Sequence, residues 1–105
     1  EFLHVDDLAN GLLHILSWDN PPDWVNIGSG SDVTIRELAE TVQRVTGYTG
    51  KLTWDSSRPD GTPRKLMDSS RLMAQGWKPR YSLEEGIRHA YAAFLKETEG
   101  QQVRS

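Results

Sequence analysis

The sequence predicts an α/β chain, on three observations: apolar residues recurring at helical spacing in four places, two short stretches of strand character between the first helices, and two capping boxes that mark helix starts. Asp6 follows a short apolar stretch and is expected to cap a first helix, whose Leu8, Leu12, Ile15 and Leu16 form a stripe with one buried face. The run Asp19-Asn20-Pro21-Pro22 ends that helix, because proline cannot continue the helical ladder. Trp24-Val25-Asn26-Ile27 reads as a short strand closed by Gly28-Ser29-Gly30.

Thr34 and Glu37 form a capping box flanked by Val33 and Leu38 at the positions of a hydrophobic staple. The helix they open carries the stripe Ile35, Leu38, Ala39, Val42 and Val45, and Gly47 stands where a left-handed residue closes it. Leu52 and Trp54 alternate with Lys51, Thr53 and Asp55 as a half-polar strand. Residues 56–66 lack either period and read as a loop with a tight turn at Asp60-Gly61. Asp68 or Ser69 caps a short helix that reaches Gly76, with Pro79 just beyond. Ser82 and Glu85 make the second capping box, opening a helix with the stripe Leu83, Ile87, Ala90, Tyr91, Phe94 and Leu95. After Leu95 the chain turns polar, as a frayed tail does.

Composition narrows the function. The 105 residues are 36% hydrophobic and 26% charged, one ordinary domain's worth. Area scaling allows about 65% of the unfolded surface to be buried. No stretch approaches the roughly 18 apolar residues of a membrane helix, and no secretory signal pattern occurs. A net charge of −3 lacks the basic footprint of a nucleic-acid binder, so any anion site is local. With no Cys there is neither a disulfide framework nor a thiol nucleophile, which fits a reducing compartment. His4, His14 and His89 show no metal-ligand spacing, and only His4, before the first helix, is placed to face a cleft. Asp6 and Asp7 are explained by capping and the helix dipole, since consecutive residues point to different faces. Gly28-Ser29-Gly30 lies between a strand and a helix, where phosphate loops occur, but the position that needs a third Gly or Ala holds Val33, so a structural turn is expected. The chain opens at Glu1 directly into structured sequence, as a piece of a longer protein would.

One loop stands apart. Arg58-Pro59-Asp60-Gly61-Thr62-Pro63-Arg64-Lys65 holds a quarter of the twelve Lys and Arg in eight residues. Prolines limit the entropy lost on ordering, the cations suit a diphosphate, and a carboxylate among them can accept from sugar hydroxyls. The competing reading is a solvated, charged turn.

Together with Glu1-Phe2-Leu3-His4-Val5-Asp6-Asp7-Leu8-Ala9, Val25 to Gly30, Thr34 to Ala39 and Gly76-Trp77-Lys78-Pro79, the segment Pro59 to Asp68 resembles the C-terminal third of the GDP-L-fucose synthase family of extended short-chain dehydrogenases. The likeness runs to about Leu95. The first two segments are generic to nucleotide-sugar enzymes, whereas Pro59 to Asp68 is more particular to this family. The resemblance implies an NADP-dependent enzyme that epimerises C3 and C5 of a GDP-4-keto-6-deoxymannose and then reduces C4. It places a substrate-binding Asp on Asp60 and a substrate-contacting Lys on Lys65, with Arg64 as a neighbouring contact. It further implies that residues 1–30 complete the edge of the nucleotide-binding sheet, that 31–97 form a small substrate domain with a polar tail at 98–105, and that the main Rossmann domain is lacking. The family's catalytic residues, its nucleotide fingerprint and its other substrate Arg fall outside this sequence, so the chain alone is expected to be inactive. The full protein would be a cytoplasmic homodimer acting on a GDP-sugar, and the chain's uncovered apolar faces would associate with one another. Another nucleotide-sugar epimerase, dehydratase or reductase and a non-catalytic interaction domain remain alternatives.

Overall fold

Four helices, α1 (Val5–Leu16), α2 (Ile35–Thr46), α3 (Ser70–Ala74) and α4 (Leu83–Glu99), are joined by irregular segments in the computed structural model, which describes residues 1–99. The two capping boxes hold. Thr34 Oγ1 accepts the Glu37 N–H at 3.0 Å, and Gly47, at φ 72°, closes α2 in the left-handed conformation. At α4 the exchange is reciprocal: the Glu85 N–H donates to Ser82 Oγ at 3.2 Å and the Ser82 N–H to Glu85 Oε1 at 3.4 Å. Before α3, the Asp68 carboxylate accepts the Ser70 N–H at 2.9 Å, while Ser69 occupies the cap position without a side-chain bond. Thr98 and Glu99 of the expected polar tail are still helical, and the rest of that tail lies outside the described residues.

Three expectations are corrected. Neither 24–27 nor 51–55 is a strand, and no strand occurs among the described residues. A strand is defined by ladder hydrogen bonds to a neighbour, and among the described residues no second strand lies beside either segment. Asp6 is not the cap of α1; His4 is, its Nδ1 accepting the Asp6 N–H at 3.0 Å, so the helix begins two residues earlier than expected. The apolar stripe of α1 is not buried. Of its four residues Leu8, Leu12 and Leu16 are 40%, 52% and 79% exposed and Ile15 is half-buried, and the face turned inward carries Asp7 and Gly11 instead.

What α1 does pack on is the link that follows α3. The core consists of Leu72 and Trp77, with Asp7 and Ser69 as buried polar residues. Gly11 lets this happen: a Cβ there would stand 3.2 Å from Ile27 Cγ2 and 3.4 Å from Trp77 Nε1. Across the molecule α2 packs on α4, tied by Arg44 to Glu84 at 2.7 Å. The sum is an open structure. Its radius of gyration is 16.8 Å, where about 13 Å is usual for a domain of this length. Its accessible surface is 8473 Å², where area scaling gives roughly 6,000 Å². The excess has the size of one side of a large permanent interface.

Candidate functional site

Sequence reasoning placed the site on the loop before α3. The chain there is irregular, as expected, but its turn does not fall at Asp60-Gly61. It forms over Ser56-Ser57, where the Asp55 carboxylate accepts both the backbone N–H of Ser57, at 2.9 Å, and its hydroxyl. Those bonds hold the Asp55 carboxyl below its ordinary range. An Asp side chain can accept an N–H two residues on; Asp55 does so here, and Asp60 makes no such bond.

Asp60, Arg64 and Lys65 are all exposed. Arg64 is paired with Asp32 in the segment before α2 through Nε, with Nη2 at 3.4 Å from the second carboxylate oxygen. This hydrogen bond from Arg64, more than its charge, holds the Asp32 carboxyl below its ordinary range. The pair fixes the end of the loop to the start of α2. The Asp60 carboxylate and the Lys65 amine have no hydrogen-bond or ion-pair partner among the described residues. The structure therefore brings Arg64 under restraint and leaves the other two groups facing solvent, and none of the three lines either of the two cavities described below. Behind them, Asp68 is held low by its bonds to Ser70, anchoring the loop's exit to α3.

The Gly28-Ser29-Gly30 segment serves as a bend. Gly30 has φ 81°, a left-handed conformation that glycine adopts without strain. Its N–H donates to the Glu1 carboxylate at 3.0 Å, so the amide that a phosphate cradle would need already has an anionic acceptor.

Larger concavities lie elsewhere. A cavity of about 560 Å³ opens between Phe2, His4, Ser31, Pro79, Tyr81 and Ile87. A second, about 420 Å³ and almost wholly apolar, lies on α2 between Ile35, Leu38, Val42, Tyr48 and Leu52. One side of the first, at Pro79 and Tyr81, is held in place by Asp7, which the sequence assigns to helix capping. Asp7 is fully buried, and its two carboxylate oxygens accept the backbone N–H groups of Arg80, at 2.9 Å, and Tyr81, at 3.1 Å. This carboxylate bolts residues 79–81 to α1 and delivers the Tyr81 ring onto His4, with centroids 4.5 Å apart. His4 in turn meets His89 on α4, Nε2 to Nδ1 at 3.2 Å. The partners are 73 to 85 residues apart, so no local spacing signals them; the one hint is an acid at a helix start where the dipole requires only one.

No family profile matches the chain. Curated relatives do. The chain is 56% identical over 96 residues to GDP-L-fucose synthase 1 of Arabidopsis thaliana, which spans 91% of this chain and 30% of that protein. It is 46% identical over 105 residues to GDP-L-fucose synthase of Escherichia coli strain K12, spanning 91% of this chain and 33% of that protein. Among solved structures, a GDP-6-OMe-4-keto-L-xylo-heptose reductase from C. jejuni superposes with a TM-score of 0.80 at 33% identity, over 92% of this chain and 31% of that one. The resemblance read from the residues is thus borne out: homologues named GDP-L-fucose synthase match over nine-tenths of the chain, which spans about a third of their length.

Proposed function

We propose that the chain is the C-terminal, GDP-sugar-binding portion of a GDP-L-fucose synthase, an enzyme that epimerises C3 and C5 of GDP-4-keto-6-deoxymannose and reduces C4 with NADPH. The observation that carries this reading is the identity of 46% and 56% to two enzymes of that name across a stretch that includes the cation-rich loop. In the full-length protein, Asp60 accepts from sugar hydroxyls while Lys65 and Arg64 offset the diphosphate. Arg64, clamped by Asp32, is the pre-positioned member, and Asp60 and Lys65 are free to close on the ligand.

Residues 1–30 complete the edge of the large sheet and residues 31–97 form the substrate domain. The outward apolar face of α1 supports that division, and so does the absence of any ladder partner for 24–27 among the described residues. A nicotinamide cofactor, which we read as NADP, binds outside this chain: the glycine bend here is occupied by the Glu1 carboxylate and has no dinucleotide fingerprint. With no Cys and no Tyr-x-x-x-Lys sequence, the chain alone holds neither the thiol nor the Tyr-Lys pair of such chemistry and is inactive. The full-length protein is a cytoplasmic homodimer. No helix among the described residues is long and apolar enough to cross a membrane.

A second reading, another GDP-sugar reductase, is favoured by the heptose reductase superposition. Turnover separates them. Full-length protein given GDP-4-keto-6-deoxymannose and NADPH is expected to oxidise NADPH and yield GDP-L-fucose, while the 105-residue chain does neither. Oxidation of NADPH only with a different GDP-4-keto sugar would replace the first reading with the second.

A further inference from the structure

We infer that His4 and His89 form a chelating site for a first-row divalent transition metal such as Zn²⁺ or Ni²⁺, with Asp6 as the supporting carboxylate. His4 Nε2 and His89 Nδ1 lie 3.2 Å apart. Two metal–nitrogen bonds of about 2.1 Å subtend that separation at an angle near 100°, within the range of tetrahedral and octahedral sites. The pair is also held in place. His4 is held by the Tyr81 ring at 4.5 Å and by Gly86, whose position would bring a Cβ to 3.5 Å from His4 Cδ2. The Tyr81 ring also meets that of His89 at 5.4 Å, and Asp7 fixes the Tyr81 backbone. Ligands ordered in advance bind at a smaller entropic cost.

Proton bookkeeping closes. In the metal-free pair, His4 Nδ1 accepts from the Asp6 N–H, so the ring's one proton sits on Nε2 and is donated to the lone pair of His89 Nδ1. Binding metal at His4 Nε2 and His89 Nδ1 moves the His4 proton to Nδ1. Nδ1 then gives up the capping bond from the Asp6 N–H and faces the Asp6 carboxylate, whose Oδ2, now 3.9 Å away, has to turn inward to accept the proton. This is the carboxylate–histidine–metal arrangement that raises ligand basicity. No proton is gained or lost, and His89 keeps its own on Nε2. Asp6 and His89 are both exposed, which leaves the remaining coordination positions to water. Imidazole donors select transition metals over Mg²⁺ and Ca²⁺. The metal would staple the entry to α1 onto α4, two points 85 residues apart.

The test is calorimetric titration of the tag-free 105-residue chain with ZnCl2 and with NiCl2 at pH 7.5, with imidazole ¹⁵N spectra recorded alongside. The expected result is saturable 1:1 binding that shifts the His4 and His89 ring nitrogens, and no heat with MgCl2. His89→Ala is expected to weaken it on the order of 100-fold, the usual loss when a bivalent contact becomes monovalent. His4→Asn is expected to do the same while keeping the helix, since asparagine supplies the cap acceptor. His14→Ala is expected to bind as the unaltered chain does. Absence of saturable Zn²⁺ or Ni²⁺ binding would overturn the assignment. So would equal affinity in the His4→Asn and His89→Ala variants, or a loss in His14→Ala as large as theirs.

Discussion

Replacing Asp7 by alanine tests how the first cavity is built, and the structure sets its size. The carboxylate is fully buried and has two partners, the N–H groups of Arg80 and Tyr81. Removing it leaves two part-buried donors without their acceptor, at up to about 1–3 kcal/mol each, so Asp7→Ala is expected to lose at most roughly 2–6 kcal/mol. Asp7→Asn keeps one oxygen in place and turns an amide NH2 toward the other donor, so it is expected to lose a smaller amount in the same range. Against the 5–15 kcal/mol of a typical domain, the alanine variant is severe. Urea unfolding of the chain and its variants measures the loss, and amide hydrogen exchange locates it: Arg80 and Tyr81 are expected to lose protection first. If Asp7→Ala unfolds within 0.5 kcal/mol of the unaltered chain and leaves exchange at both amides unchanged, the carboxylate is not what holds residues 79–81 on α1.

Gly11→Ala ordinarily stabilises a helix by about 1 kcal/mol, but here the methyl meets Ile27 at 3.2 Å and Trp77 at 3.4 Å. A lower Tm is expected, and a higher one would show that the α1–Trp77 contact gives way easily. The Glu84 carboxyl is held below its ordinary range first by its hydrogen bond from Arg44 and then by that cation's charge. A carboxyl lowered by folding stabilises the fold above its unfolded value and loses that contribution as pH falls through the folded one. Glu84→Gln is therefore expected to flatten the acid limb of a thermal-stability profile below about pH 4.5, with the difference shrinking at 1 M salt. Identical acid limbs would dismiss the pair. Asp32→Asn frees Arg64 from its clamp, and the full-length protein is expected to bind GDP more weakly by a few-fold, because the guanidinium must then be ordered on binding. Unchanged affinity would show that Arg64 needs no positioning.

Helix boundaries were legible in the sequence because caps are local. Thr34 with Glu37, Ser82 with Glu85 and the glycine at 47 each satisfy orphan backbone groups within a turn, so their spacing carries the answer. Strand character at 24–27 and 51–55 was legible too, but a ladder needs a second strand, and the chain contains none among its described residues. The stripe on α1 announced an apolar face without saying what covers it; within this chain the packing is done by Asp7 and Gly11 on the other side. Of the loop, composition revealed the cations but not the Asx turn that moves the bend from Asp60-Gly61 to Ser56-Ser57. Asp7 and the His4–His89 pair were invisible because their partners come from residues 80–89, and only the folded chain brings them together.

In the proposed function the loop from Arg58 to Lys65 grips a GDP-sugar. Calorimetric titration of the full-length protein with GDP, unaltered and carrying Asp60→Ala or Lys65→Ala, tests it most directly. One charged hydrogen bond lost at a ligand costs about 1.5–3 kcal/mol, so each variant is expected to bind roughly 10- to 100-fold more weakly. Undiminished affinity for GDP and for the GDP-sugar in both variants would contradict the account.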